Sequence, residues 1–273
     1  MSFSDNRPIG VFDSGVGGLS VLKVLREILP NENFIYVGDT LRVPYGDKEA
    51  SEIKAYTLEC FEKLREENVK GVVLACNTAT SYALDEVKEK FDFPTVGVIG
   101  AGALETTMVT KNKRVLLLAT NATVNSGIYE DSISRIDSKI EVKAEGCPDI
   151  VKVVEEGHAE DIIGFSTCKK YIDRYNDYDY DTLILGCTHF ALAEENIRKI
   201  LKEKNKDATI VDPGRSTAIQ LKRIFSELRL LSDSGSGEVE YFISGSQDDF
   251  KSTASKILRK NVDDLDVKSF ITK

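Results

Sequence analysis

Short β-branched runs alternate with longer amphipathic stretches along most of the chain, the pattern of parallel strands covered by helices on both faces. Residues 8–12, 34–38, 71–75 and 95–99 are apolar runs that predict strands. Between them, 18–28 and 48–68 predict helices. In the second, Ile53, Tyr56, Cys60, Phe61 and Leu64 recur at helical spacing, which makes Cys60 a small core residue. A second series predicts strands at 114–119, 140–144 and 182–186, with helices near 126–136, 149–156 and 160–175. The tail predicts a strand at 208–211, a helix at 215–230, a polar SDSGSG turn at 232–237, a strand at 239–243 and a helix at 247–260.

The second series repeats the first. One predicted strand ends at Asp13 and another at Cys76; in the second half the matching ends fall near Thr120 and at Cys187, at a similar spacing. The expected fold class is therefore α/β: two similar βα domains with parallel sheets flanked by helices, related by a pseudo-twofold around a central cleft. Residues 1–99 plus 210–273 make the first domain, with Asp13 and Cys76; residues 100–209 make the second, with Cys187 and His189. In open α/β sheets ligands sit outside the carboxyl ends of the strands, so two such units facing each other make one cleft with a thiol on either wall.

Charge and cysteine usage narrow the chemistry. Of 273 residues, 45 are acidic and 36 basic, a formal net charge of −9, which argues against a nucleic-acid or anionic-membrane partner. No apolar run reaches the roughly 18 residues of a membrane span, and MSFSDNRPIG lacks the features of a secretory signal, so a cytoplasmic protein is expected. Five cysteines form no C-x-x-C pair, and only His158 and His189 could supplement them, so neither a disulfide framework nor a metal site is expected.

The strand ends carry the chemistry. VVLACNTAT places Cys76, Asn77 and Thr78 after an apolar strand and before a helix, where free N–H groups and the helix dipole favour anions and a thiolate; LILGCTHF repeats this with Cys187, Thr188 and His189. A lone cysteine there is usually packing, but two in equivalent places are candidate acid and base. IGVFDSGVGGLS is a strand, a Gly-rich turn and a helix start, with Asp13 and Ser14 in the turn. It nearly matches a dinucleotide fingerprint through Gly15 and Gly17, with Asp39 further on, but fails at Ser20 and leaves both thiols unexplained. Pro44, Tyr45 and Gly46 form a turn that either lines the cleft or is a plain loop. Thr120, Thr123 and Ser126 are donors suited to a carboxylate or to a helix cap. His158 reads as an exposed helix-end residue, and Cys147 and Cys168 as structural.

At these residues the chain resembles the glutamate racemases, through GVFDSGVGGLSVL, VPYG, ACNTAT, ATNATVNSGIY, CP…VEEG and LGCTHF, nearly from end to end. It is less similar to the aspartate racemases, where a His typically replaces Thr80 and a Glu replaces His189. The resemblance implies a cofactor-independent isomerase interconverting L- and D-glutamate, supplying D-glutamate for peptidoglycan, and working in the cytoplasm as a homodimer. It implies that Cys76 and Cys187 transfer the protons, with Asp13 near Cys76 and His189 near Cys187. Asp13, Ser14, Tyr45, Gly46, Asn77, Thr78, Thr188 and His189 would contact substrate or assist the thiols. Glu155 would be a further acidic site residue, although the neighbouring DIVKVV departs from the family's more apolar, Pro-containing pattern.

Elementary chemistry agrees with that reading. Inverting an α-carbon needs a base on one face and an acid on the other. A helix N-terminus lowers a thiol pKa from its usual ~8.5, so one thiolate paired with one thiol is expected near neutral pH. No Arg or Lys occurs in the core motifs, so backbone N–H groups and hydroxyls would bind the carboxylates. Two other readings stay open from the residues: a related two-thiol isomerase or a decarboxylase acting on another acid, and a non-catalytic anion-binding protein.

Overall fold

The computed structural model describes residues 4–270. The chain opens with β1 (Ile9–Asp13), α1 (Leu19–Ile28), β2 (Phe34–Gly38) and α2 (Ala50–Glu66), the last preceded by a 3-10 turn at Tyr45–Asp47. It continues through β3 (Gly71–Leu74), α3 (Asn77–Lys90), β4 (Thr95–Gly97) and α4 (Val98–Val109). The second series is β5 (Arg114–Ala119), α5 (Asn121–Ser126), α6 (Ile128–Ile136), β6 (Glu141–Gly146), α7 (Pro148–Glu155), α8 (Ile162–Ile172), β7 (Thr182–Gly186), α9 (Thr188–Leu192), α10 (Glu194–Glu203) and β8 (Thr209–Val211). The tail adds α11 (Pro213–Glu227), β9 (Val239–Ile243), α12 (Gln247–Leu258) and β10 (Asp266–Ser269).

The strands form two sheets, ordered β10-β9-β2-β1-β3-β4 and β6-β5-β7-β8, with every pairing parallel. The order β2-β1-β3-β4 recurs as β6-β5-β7-β8, so the repeat legible in the sequence is a repeat of topology. In each sheet the first strand has its second on one side and its third on the other. The loops leaving the first and third strands therefore diverge over opposite faces and leave a crevice between them. Cys76 follows β3 and Cys187 follows β7, so each thiol stands at such a switch point.

Both sheets are covered on both faces, which is why their central strands are apolar throughout rather than alternating. Ile9 and Val11 enter one core with Leu19, Leu22 and Leu25 of α1, while Phe12 faces Phe61 and Leu64 of α2. In the second sheet Leu116 and Leu118 pack with α7 and α8, and Val115 and Leu117 with α4 and α6.

Several expectations shift. The strand expected over 95–99 stops at Gly97, and α4 begins at Val98. Buried positions run around much of α4, including Val98, Ile99, Ala101, Gly102 and Ala103, so it has no amphipathic period to read. It packs between α11 and α6, and a Cβ on Gly102 would meet Pro213 at 2.8 Å. The helix expected near 126–136 is α6, which starts at Ile128 after Gly127 at φ 65°, and a separate short helix, α5, precedes it. The expected boundary at 210 divides β8, which pairs with β7; the chain rejoins the first core only at α11, through Ala218, Leu221 and Phe225. Among the described residues no helix is long and apolar enough to cross a membrane.

One buried ion pair ties the periphery of the first sheet together. Lys70 Nζ lies 2.5 Å from the Glu32 carboxylate, with both side chains shielded from solvent. Lys70 also donates to the Asp5 carbonyl at 2.6 Å, and the Ser232 N–H donates to Glu32 at 2.8 Å. Removing one partner strands the other charge, so Glu32→Ala is expected to destabilise the protein by about 3–5 kcal/mol in urea unfolding. The double variant Glu32→Leu with Lys70→Met should lose clearly less; a single-variant loss below about 1 kcal/mol would contradict this account.

Candidate active site

The first wall of the site is the turn after β1. Asp13 is buried; its carboxylate accepts from the Gly15 N–H at 3.0 Å and from Thr188 Oγ1 at 3.1 Å. The glycines here serve close approach between the two halves of the molecule. A Cβ on Gly17 would lie 2.4 Å from Thr188 Oγ1 and 2.6 Å from His189 Nδ1, and one on Gly18 would meet Asp13. The dinucleotide alternative loses its acidic residue as well. Asp39 is buried and already accepts from Tyr45 Oη (2.6 Å), Arg42 Nε (2.7 Å) and Ser244 Oγ (2.7 Å).

The two thiols line one cleft with Ser14, Asn77, Thr78, Thr120, Thr188 and His189. Cys76 caps α3, its sulfur accepting from the Ala79 N–H at 3.4 Å with Ser14 Oγ 3.5 Å away. Cys187 precedes α9, with His189 Nδ1 3.6 Å from its sulfur. All five cysteines are free, and Cys60, Cys147 and Cys168 are buried in the cores as expected. The cleft encloses about 10 Å³, and a separate opening of about 440 Å³, lined by Pro44, Gly46, Asn121, Val151, Lys152 and Glu155, adjoins it.

Hydroxyls and amides supply the polar lining. Thr78 Oγ1 lies 2.9 Å from Thr120 Oγ1 and 3.2 Å from Thr123 Oγ1, and Thr120 donates to Thr123 at 3.0 Å. Thr120 also caps α5, its side chain accepting from the Thr123 N–H, as its helix-cap reading expects. Ser126 bonds the Thr123 carbonyl and does not line the cleft. Pro44, after a cis peptide bond, and Gly46 do line it. Tyr45 reaches the cleft while its hydroxyl is held by Asp39. Thr80 donates to the Leu74 and Cys76 carbonyls, which keeps its hydroxyl within its own turn.

Glu155 lines the adjoining opening and stands beside His189. Its carboxylate lies 2.6 Å from His189 Nε2 and accepts from the Val16 N–H at 3.3 Å, making a chain Glu155–His189–Cys187. His158 Nδ1 lies 2.6 Å from the Asp161 carboxylate, away from the cleft. Sequence reasoning missed Val43 and Val151, which line the cleft, Tyr36, whose hydroxyl holds the Gly15 carbonyl at 2.6 Å, and Tyr129, whose hydroxyl donates to Asn77 Oδ1 at 2.7 Å. Val43 and Tyr129 lie inside the VPYG and ATNATVNSGIY stretches but carry no reactive group that marks them out; for all four, tertiary approach is what brings them in.

Burial dominates the electrostatics. It pushes the Cys76 thiol up to about 12, with Asp13 adding to the rise, against the Ala79 N–H and Ser14. The lowered thiol pKa expected at this helix N-terminus is therefore not found, because loss of water outweighs the helix dipole. Burial also raises the Asp13 carboxyl, opposed by His189 and by its N–H and hydroxyl donors. At His189 burial disfavours the charged ring, but hydrogen bonds to Cys187 and Glu155 outweigh it and hold the imidazole well above its ordinary value. Burial of Glu155 is likewise outweighed by His189, leaving this carboxyl below its usual range. Among the described residues no trio of His, Cys, Asp or Glu is arranged to hold a metal, and no Lys or Arg lines the cleft.

Comparison with known proteins bears on this site. Residues 9–221 match the family described as Asp/Glu/Hydantoin racemase. Glutamate racemase 2 of Caldanaerobacter subterraneus subsp. tengcongensis is 41% identical over 261 residues, covering 96% of this chain and 97% of its own. A glutamate racemase isoform from Bacillus anthracis superposes with a TM-score of 0.88 at 33% identity, covering 97% of this chain and 98% of its own. The Francisella tularensis glutamate racemase, solved in complex with D-glutamate, gives 0.88 at 34% identity over 98% of each chain. With two thiols at matching strand ends and this likeness along nearly its whole length, the chain belongs to the Asp/Glu/Hydantoin racemase family, among its glutamate racemases.

Proposed function

We infer that this chain interconverts L- and D-glutamate without a cofactor, by proton transfer between Cys76, the α-carbon and Cys187. The observation that carries the reading is the pair of thiols at equivalent strand ends lining one cleft. A thiolate on one wall removes the α-proton while the thiol on the other delivers one to the opposite face, and the roles exchange with direction. The high Cys76 pKa suits a proton donor, and the substrate α-ammonium brings the positive charge that a thiolate there needs. Ser14, Asn77, Thr78, Thr188 and the N–H groups at the start of α3 are suited to bind carboxylates where negative charge develops. The 10 Å³ of the cleft is about the room of one water, so binding glutamate requires its walls to move apart.

The biological reading is supply of D-glutamate for peptidoglycan in the cytoplasm, where five free thiols stay reduced. A homodimer is the expected assembly. An exposed apolar strip of Leu104 and Met108 on α4 and Ile219 on α11, lining a groove of about 510 Å³, supports burial against a second copy. Sedimentation at micromolar concentration should show a dimer that Met108→Glu with Ile219→Glu weakens; a monomeric wild type would refute it.

The function itself is tested by chiral analysis. Dialysed protein with chelator present should racemise glutamate and leave aspartate almost untouched, because a misplaced carboxylate leaves buried donors unpaired. Cys76→Ala and Cys187→Ala should each reduce racemisation by at least about 10²–10⁴-fold. Each should still eliminate a β leaving group from a glutamate analogue of one enantiomer, the two variants choosing opposite hands. A single variant racemising near the wild-type rate would remove that cysteine from the mechanism.

The Glu155–His189 pair sets a pH dependence. The raised His189 pKa keeps the imidazolium above pH 6.5, and its charge is lost as pH rises through the shifted value. Glu155→Gln removes the anion that holds the proton, so the alkaline limb of kcat/KM should move to lower pH. An alkaline limb unmoved in Glu155→Gln would show that His189 does not govern it.

A further inference from the structure

The two halves of the molecule exchange more than their thiols. Tyr129 lies on α6, fully buried in the core that α4 and α6 build against the second sheet. Its hydroxyl leaves that core and donates to Oδ1 of Asn77, the first residue of α3 on the other half, at 2.7 Å. The amide nitrogen of Asn77 has no protein partner among the described residues, while the residue lines the cleft.

An amide carries an acceptor at one end and two donors at the other, and either end can face a ligand unless something fixes it. A buried phenol needs an acceptor, and Asn77 Oδ1 is the one it has. We propose that Tyr129 is a positioning residue: by binding the Asn77 carbonyl from the opposite half, it turns the Asn77 Nδ2 donors toward a carboxylate of the substrate. The inference rests on the reading of this cleft as a glutamate site. With Asn77 reversed, its carbonyl oxygen would face an anion, and the cleft holds no Lys or Arg to compensate. Burial raises the Tyr129 hydroxyl well above its usual pKa, so it stays protonated and remains a donor across the working pH range.

The arrangement also makes Asn77 report on assembly. The donor belongs to the first half and its orientation to the second, so the amide is set only where α3 and α6 are juxtaposed. A hydroxyl within α3 could have fixed the same rotamer without that dependence.

Tyr129→Phe keeps the ring and removes only the hydroxyl. It is expected to raise KM for both enantiomers roughly tenfold with kcat within about twofold, because a mis-set donor weakens ground-state and transition-state binding alike. In an Asn77→Ala background the same change should have no further effect. Asn77→Asp is read independently of whether Tyr129→Phe folds. It keeps an acceptor for the Tyr129 hydroxyl but puts a carboxylate where the donors were, so kcat/KM should fall on the order of 100-fold with the unfolding midpoint preserved. Wild-type kinetics in Asn77→Asp, or a Tyr129→Phe loss undiminished in Asn77→Ala, would overturn the proposal. Calorimetric binding of D-glutamate gives the same comparison without turnover, so a chain that binds but does not racemise refutes the enzymatic reading alone. A chain that neither binds nor turns over glutamate overturns both.

Discussion

The contact between the Gly17 backbone and the Thr188 and His189 side chains has no room for a single methyl group. The rest of the site depends on that closeness. It lets Thr188 reach the Asp13 carboxylate across the gap between the sheets, and it lets Val16 and His189 share Glu155. A β-carbon there would displace the Thr188 hydroxyl from Asp13 and the His189 ring from Cys187. The glycines that in isolation suggest a phosphate loop are here a spacer of zero thickness between two walls.

Closeness brings burial, and burial governs the charges. Asp13, Cys76 and His189 are all withdrawn from water and all titrate above their ordinary values, but for different reasons: burial itself raises the first two, while at His189 its partners overcome burial. His189 has a carboxylate and a sulfur against it and keeps its proton; Cys76 has a carboxyl group nearby and a few neutral donors, and keeps its own. The two walls therefore differ chemically although their topology repeats. A racemase must handle two mirror-image substrates of equal energy, but nothing requires that its acid and base be mirror images too.

Much of this was legible in the sequence, and the unread parts have a common cause. The strand ends at Cys76 and Cys187 stood out because an apolar run stops abruptly at a thiol followed by hydroxyl or imidazole donors. That pattern is local. Glu155 was reached through family resemblance, since its helix shows nothing unusual in spacing or charge. The helix α4 escaped because it is buried around much of its circumference, which erases the period a helix is recognised by. Tyr129 escaped for a different reason: its hydroxyl matters only through a residue about fifty positions earlier in the chain. The thiol pKa of Cys76 was misjudged in sign because the helix N-terminus is visible in sequence and desolvation is not.

The triangle of hydroxyls at Thr78, Thr120 and Thr123 has three hydrogens for three links. Each oxygen can give one and take one, so with Thr120 donating to Thr123 the ring closes through Thr78 and is satisfied before any ligand arrives. An incoming oxygen gains a donor from it only by opening a link. A neutral carbonyl or hydroxyl offers a bond of about the strength it displaces, whereas an ionised carboxylate offers one roughly twice as strong. The ring thus works as a threshold on the charge of what enters, set by hydrogen-atom bookkeeping rather than by any positive residue.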